Sequence, residues 1–447
     1  MTEPATPPRD PTARQEESIT STASPRPRSR FRPVLGWGVI VAVGGILSAA
    51  TAPGQTAGLS VFTDPIIAEW DLTRTTVSVS YLIGTLAGAA ALPLFGRAMD
   101  RWSLRALTAG IGVGLAVFLF GLSLAEGAWG LTVGFTGIRM LGQGALSLAA
   151  TTLVARAVTH RRGLALGVTA AIGSGGISLT PLILAGPVQE LGVRTTWQLE
   201  ALAVLCLVLP ATLLIPRRPR PRPADALAAP GGLRGHEPDP APGVDWTLAR
   251  ASRTGMFWIL VSGLVVSGML STALAFHQIS VLGEQGLDPV QAAANFLPQT
   301  LSGIAATLAT GSVVDRIAPK YGVSFAMATL AAALLLIPLI TPGWPAITYG
   351  LVLGAAVGSL RGVEAAAFAH YFGTAHIGTI RGVATAVGLA ATACGPVLLS
   401  LGRDLAGGYL TPALVLAVLP AIVGIAALAT PPPRRTFADW NSTLTSG

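Results

Sequence analysis

Lysine is almost absent from this chain. Lys320, in "APKYG", is the only one, and it completes no Gly-Lys-Ser/Thr, which excludes nucleotide hydrolysis on a phosphate loop. No His-Glu-x-x-His and no Gly-x-Ser-x-Gly occurs, and the five histidines are scattered. The inventory therefore contains no enzyme motif, and neither a metal site nor a cofactor is expected. The two cysteines, Cys206 and Cys394, fall inside apolar stretches, so no disulfide framework is expected. Charge is scarce as well: 11% of residues, where a soluble domain carries about 25%. What fills the space is apolar. The chain is 51% hydrophobic, a composition that points to a lipid bilayer as its surroundings and away from a nucleic-acid partner.

Residues 1–33 are rich in Pro, Ser, Thr and charge, and they lack an apolar core of signal-peptide type; they read as a disordered tail. Beyond them lie twelve apolar segments, each near the ~20 residues that cross a bilayer as a helix. Their approximate spans are 34–62, 75–96, 105–125, 129–155, 163–187 and 195–216, then 255–279, 290–312, 322–341, 345–370, 378–402 and 408–430. The first is too long for one straight helix, and "APGQT" (52–56) is expected to break it. The fold class is thus an all-α membrane protein of two six-helix bundles, 34–216 and 255–430. A Pro/Arg-rich linker, 217–254, joins them, with a possible interfacial helix at its end, and 431–447 forms a second tail.

Charge placement orients the bundle. Arg97, Arg101 and Arg105 follow segment two, Arg156, Arg161 and Arg162 follow four, and Arg217, Arg218, Arg220 and Arg222 follow six. Arg316 and Lys320 follow eight, and Arg434 and Arg435 follow twelve. The alternate loops carry Asp64, Glu69, Asp71, Glu126, Glu190, Glu284 and Asp288, with only Arg74, Arg194 and Arg403 as bases. The positive-inside rule then places both termini and the linker in the cytoplasm, in a multi-pass protein of the inner membrane.

The halves repeat. "GRAMDR" (96–101) recurs as "GSVVDR" (311–316), and "RGLALGVTAAIGSGG" (162–176) as "RGVATAVGLAATACG" (381–395); the displacements are 215 and 219 residues. Parallel six-helix repeats are a transporter architecture with the substrate site near the midplane between halves. At these residues the chain resembles the major facilitator superfamily, whose loop signature Gly-x-x-x-Asp-Arg-x-Gly-Arg-Arg is met at Gly96, Asp100, Arg101 and Arg105, with Ser103 in place of the second glycine. The resemblance covers about residues 34–430. Within that superfamily, 53–88 and "AHYFGTAHIGTIRG" (369–382) resemble the bacterial monocarboxylate and oxalate/formate branch. The resemblance implies secondary transport by alternating access, with Gly96, Asp100, Arg101 and Arg105, and less closely Asp315 and Arg316, latching the cytoplasmic side.

Arg139 sits in "TGIRMLGQGAL" with no acid between Glu126 and Glu190. It lies roughly nine residues into its helix, about 13 Å deep. A guanidinium at that depth costs ~3 kcal/mol or more unless it faces a cavity or a partner. Arg361, in "GSLRGVEAAAF", occupies the corresponding helix of the second half, one turn before Glu364. Two such arginines suit an anion site, since guanidinium binds carboxylate bidentately. The plainer readings are packing for Arg139 and neutralisation of Arg361 by Glu364 on the same helix face. Arg139 also fits a superfamily pattern, Arg-x-x-Gln-Gly, except that Gln143 and Gly144 come one position late.

Glu364 is the candidate proton carrier. Gln55, Tyr81, Gln143, His277 and Gln299 are candidate cavity residues, and Glu200 reads as interfacial. Segment eight carries no charge and segment eleven no lysine after Arg381, so the branch's substrate chemistry does not carry over directly. The expected cargo is a small organic anion, a carboxylate, moved with protons or by exchange through a monomer in the bilayer. Drug or metabolite efflux is the alternative, and a transporter-like sensor a more distant one.

Overall fold

The computed structural model describes residues 36–158, 161–215, 246–314, 316–373 and 376–433, without the side chains of Asp100, Arg162 and Ala365. The tails expected at 1–33 and beyond 433, and most of the linker, lie outside the described residues, as does Asp315. A single turn, Leu248–Ala251, is what the structure gives at the linker's end.

Among the described residues, ten helices are long and apolar enough to cross a membrane. One of them, Arg162–Leu213, is two spans joined at Gly192, whose φ of 79° lies in the left-handed region that glycine enters without strain. A twelfth span, Phe296–Val314, is less apolar because Gln299, Thr300, Ser302, Thr307, Thr310 and Ser312 run along it. We label the spans α1 (Trp37–Ser60), α2 (Arg74–Arg101), α3 (Leu104–Leu124), α4 (Gly127–Ala157), α5 (162–191) and α6 (193–213). The second half follows as α7 (Gly255–Phe276), α8 (Phe296–Val314), α9 (Pro319–Leu336), α10 (Trp344–Phe372), α11 (Ile377–Ala406) and α12 (Leu410–Ala429). No strand occurs among the described residues.

Local chemistry sets the ends. Thr73, Ser103 and Thr254 each accept a backbone N–H from the first turn of α2, α3 and α7, supplying an otherwise missing hydrogen-bond partner. The expected break in α1 is a 3-10 turn at Ala52–Gly54, where Pro53 has no N–H to give. Helices then pair in the same way in both halves. α1 packs on α5, α2 on α4 and α3 on α6; α7 packs on α11, α8 on α10 and α9 on α12. Small residues bring these pairs together. A Cβ on Gly173 would lie 2.5 Å from Ser48, and one on Gly358 would lie 2.1 Å from the Gly303 carbonyl. Glu200 is 6% exposed, in α6, where it shares a helix face with the fully buried Trp197.

The halves meet through α2 with α11, α5 with α8, and α1 with α7. Hydrogen bonds between described residues cross from one half to the other at Asp64–Ser280, Arg74–Ser280, Arg74–Tyr409, Thr75–Asp404, Ser78–His277 and Ser178–Thr300. All but the last sit at the end where Asp64 and Glu284 lie, the acidic end. Ser178 and Thr300 meet deeper, between α5 and α8.

Candidate functional site: a cavity between the halves

Beneath these contacts the halves line a partly open cavity of about 300 Å³. Its wall is drawn from α1 (Gln55, Thr56), α5 (Ser174, Ile177), α7 (Ser271, Thr272, Ala275), α8 (Phe296, Gln299, Thr300, Gly303, Ile304, Thr307) and α10 (Leu353, Gly354, Val357, Gly358, Arg361). The broken stretch of α1 supplies one side, and the polar stripe that lowers the hydropathy of α8 supplies the other.

Among the described residues of this wall Arg361 is the sole charged one. It is exposed and makes no hydrogen bond or ion pair with a described residue. Glu364, one turn further along α10, turns instead to α11 and pairs with Arg381 at 3.4 Å. The alternative in which Glu364 neutralises Arg361 therefore does not describe this structure. Around Arg361 the wall offers hydroxyls and amides among apolar side chains. Gln299 Nε2 donates to Gln278 Oε1 at 2.7 Å and to Asn295 Oδ1 at 3.1 Å, and Gln55 Nε2 donates to Thr51 Oγ1 at 3.1 Å. Both amides are thereby held in fixed orientations.

Arg139 does not line the cavity. It is 2% exposed, behind the α1 wall. Its Nε donates to Thr85 Oγ1 at 3.0 Å, and its Nη1 donates to the Gly54 carbonyl at 3.0 Å and to Thr56 Oγ1 at 3.5 Å. Its guanidinium lies 4.2 Å from the centre of the Tyr81 ring. The carbonyl freed by the broken turn and an aromatic face replace the acid that the sequence lacks. Only Thr56 connects this cluster with the cavity, and its hydroxyl also meets Tyr81 Oη at 2.7 Å.

Residues Arg139–Leu146 form a π-helix, which accommodates one more residue per turn than an α-helix. Gln143 and Gly144, which come one position late against the superfamily pattern, lie within this segment. Gly54 docks on this segment: a Cβ there would lie 2.3 Å from the Ile138 carbonyl and 2.7 Å from the Gln143 N.

Of the remaining sequence candidates, Gln55 and Gln299 line the cavity, while Tyr81, Gln143 and His277 do not. Tyr81 is buried against Phe276 of the other half, ring centres 4.6 Å apart. His277 is fully buried beyond the end of α7. Sequence reasoning missed Thr56, Ser271, Thr272, Thr300 and Thr307. Thr56 and Thr300 adjoin Gln55 and Gln299, and Thr307 lies about two turns beyond Gln299 on the same helix, which was the available signal; Ser271 and Thr272, on α7, carried none. At the basic end, Gly96 has nothing within 4 Å of a notional Cβ, Arg101 and Arg316 are exposed, Arg105 is half-buried, and Arg156 Nη1 donates to the Met99 carbonyl at 3.0 Å.

Two pseudo-symmetric bundles of membrane-spanning helices around a central cavity of mixed polar and apolar lining define a transporter, not an enzyme. The chain belongs to the Major Facilitator Superfamily, whose profile matches residues 45–396. No curated protein sequence matches it significantly. Its fold is similar to a solved bacterial homolog of the human lysosomal transporter Spinster. In the inward-facing, unoccupied conformation that structure shares 14% identity with a TM-score of 0.68, covering 88% of this chain and 96% of that one. In the inward-facing, occupied conformation the identity is 13% and the TM-score 0.65, covering 88% and 95%.

Proposed function

We propose that the protein carries a small organic anion, a carboxylate, across the inner membrane by alternating access. The observation that carries this reading is Arg361: an exposed guanidinium in the cavity wall, paired with no acid among the described residues. A carboxylate matches the guanidinium fork with two parallel hydrogen bonds. The cavity of about 300 Å³ sits at the small end of ligand sites, which run from about 300 to 1,000 Å³. Gln55, Gln299 and the hydroxyls of α7 and α8 would orient the rest of the cargo. Arg139, Tyr81 and Gln143 act as positioning residues, holding the broken turn that presents Gln55 and Thr56. The likeness of 53–88 and 369–382 to the monocarboxylate and oxalate/formate branch supports the same cargo class.

An unaccompanied guanidinium makes it costly for the empty carrier to close around its cavity, and a bound anion removes that cost. This favours exchange of one anion for another. Symport with a proton carried by Glu364 is the other coupling consistent with the site. The acidic end faces outward and the basic end, with both termini, faces the cytoplasm, so the conformation is closed to the outside. In the opposite conformation the signature residues Asp100, Arg101 and Arg105, with Asp315 and Arg316, would latch the cytoplasmic side. The protein works as a monomer.

The withdrawal of Arg139 favours a second reading. With a single cation left, Ile177, Phe296, Ile304, Leu353 and Val357 make much of the wall apolar, as efflux of an amphipathic metabolite would require. Proteoliposome uptake of labelled small acids separates the two, with and without a proton gradient and with and without unlabelled acid inside. Stimulation by internal acid supports exchange and stimulation by a proton gradient supports symport. Uptake of neutral apolar compounds in preference to any acid overturns the anion reading.

A further inference from the structure

The charged groups at the acidic end are not scattered loop residues. Asp64 and Arg74 come from the first half. Arg74 Nη1 donates to Asp64, to Ser280 Oγ at 2.9 Å and to Tyr409 Oη at 3.3 Å, the last two from the second half. Ser280 Oγ reaches Asp64 Oδ1 at 2.7 Å and Oδ2 at 2.8 Å. The chain of bonds then runs inward. Tyr409 Oη lies 2.9 Å from His277 Nδ1, and His277 Nε2 lies 3.1 Å from the Pro396 carbonyl and 3.4 Å from Ser78 Oγ of the first half.

These bonds fix the protonation of His277. A carbonyl only accepts, so Nε2 carries the hydrogen. Tyr409 Oη already receives an N–H from Arg74, so its own hydrogen points to Nδ1, which must keep its lone pair. The imidazole is neutral and its hydrogen bonds are satisfied. A second proton would force Tyr409 to accept from two cations at once. It would also place a buried imidazolium near Arg74 and Arg403, whose guanidiniums lie 5.7 Å and 5.3 Å from the Tyr409 ring centre. The nearby acids are already engaged. Asp64 is bound by Arg74 and Ser280, Glu284 by Arg403 and the Tyr409 N–H, and Asp404 by Thr75.

We propose that Asp64, Arg74, Ser280 and Tyr409 form a bolt between the halves, and that His277 is its proton-binding element, so the acidic end shuts only around a neutral imidazole. When the halves part at this end, Arg74 leaves with the first half, and His277 and Tyr409 meet solution. His277 then titrates near the ordinary histidine value of about 6.5. The sign follows from linkage. Above that value closure is undisturbed. Below it the open state binds a proton that the closed state excludes, and the closed-to-open ratio falls about tenfold per pH unit. This inference does not rest on the identity of the cargo.

The test uses the full chain in nanodiscs without substrate, with Cys206 and Cys394 replaced by serine and spin labels at Ala68→Cys and Ala406→Cys. Both label sites are exposed, on opposite halves of the acidic end. Between pH 8 and pH 5.5 the short-distance population should shrink, with the onset near pH 6.5. His277→Gln, which cannot take a proton in this range, should flatten the response. Replacing the other four histidines together, His160, His236, His370 and His376, by Gln should leave it intact and keeps the test decisive if His277→Gln does not fold. A flat response in the parent protein, a slope that survives in His277→Gln, or a slope lost in the four-histidine variant overturns the proposal.

Discussion

Replacing Gly358 by alanine probes how tightly the cavity wall is built. α8 and α10 touch backbone to backbone: a Cβ on Gly354 would lie 2.0 Å from the Gln299 carbonyl, and one on Gly362 would lie 2.6 Å from that of Thr307. At Gly358 the new methyl would meet Gly303 O at 2.1 Å, its C at 2.7 Å and its Cα at 2.8 Å. Ordinary contact begins near 3.4 Å, so the helices must part by roughly 1 Å, and no side chain can rotate away to spare them. The bond from Thr307 Oγ1 to the Gly358 carbonyl, 3.0 Å long, would stretch with them. Overpacking of this kind costs about 1–3 kcal/mol. At about 2–4 °C per kcal/mol for an unfolding unit the size of the second bundle, 255–430, its melting temperature should fall by roughly 2–12 °C. Gly378, with nothing within 4 Å, is the control. Alanine there should hold or raise the melting temperature, because it favours a helix over glycine by about 0.8–1.0 kcal/mol. Thermal unfolding in detergent, followed by tryptophan fluorescence, reads both. If Gly358→Ala melts with Gly378→Ala, the close approach of α8 and α10 is wrong.

Arg139→Lys should lower the transport rate at least tenfold while changing KM little, because one ammonium cannot reach both Gly54 O and Thr85 while covering Tyr81. A KM that rises tenfold with the rate preserved would place Arg139 on the substrate instead. Glu364→Gln breaks the pair with Arg381. If Glu364 carries the coupled proton, uptake in this variant should no longer respond to a pH gradient while exchange persists, and an unaltered response would remove it from the coupling step.

Much of the architecture was legible because the bilayer imposes it. Apolar length, alternating loop charge and the repeated Gly-x-x-x-Asp-Arg gave the spans and their pairing into halves. Pro53 and Gly54 announced the break in α1. Less was legible where a partner lies far away in sequence. The cost of burying Arg139 correctly demanded partners, but a freed carbonyl and an aromatic ring on α1 and α2 meet that demand, and helical periodicity does not encode them. Gln143 and Gly144, late against the superfamily pattern, lie in the π-helix. Glu364 was matched to its neighbour Arg361 by i, i+3 spacing, yet its partner is Arg381 on the next helix. Asp64 and Arg74 looked like loop charges, and nothing local shows that Ser280 and Tyr409 converge on them.

The anion site is tested most directly at Arg361, by uptake of a labelled carboxylate and of its neutral amide analogue into proteoliposomes. Arg361→Lys keeps the charge without the planar fork and should lose about tenfold in carboxylate uptake. Arg361→Gln loses both and should lose about a hundredfold, in line with about 1.5–3 kcal/mol for a hydrogen bond to a charged group. Uptake of the amide should be low and little changed in either variant. Carboxylate uptake by Arg361→Gln at the parent rate would contradict the account.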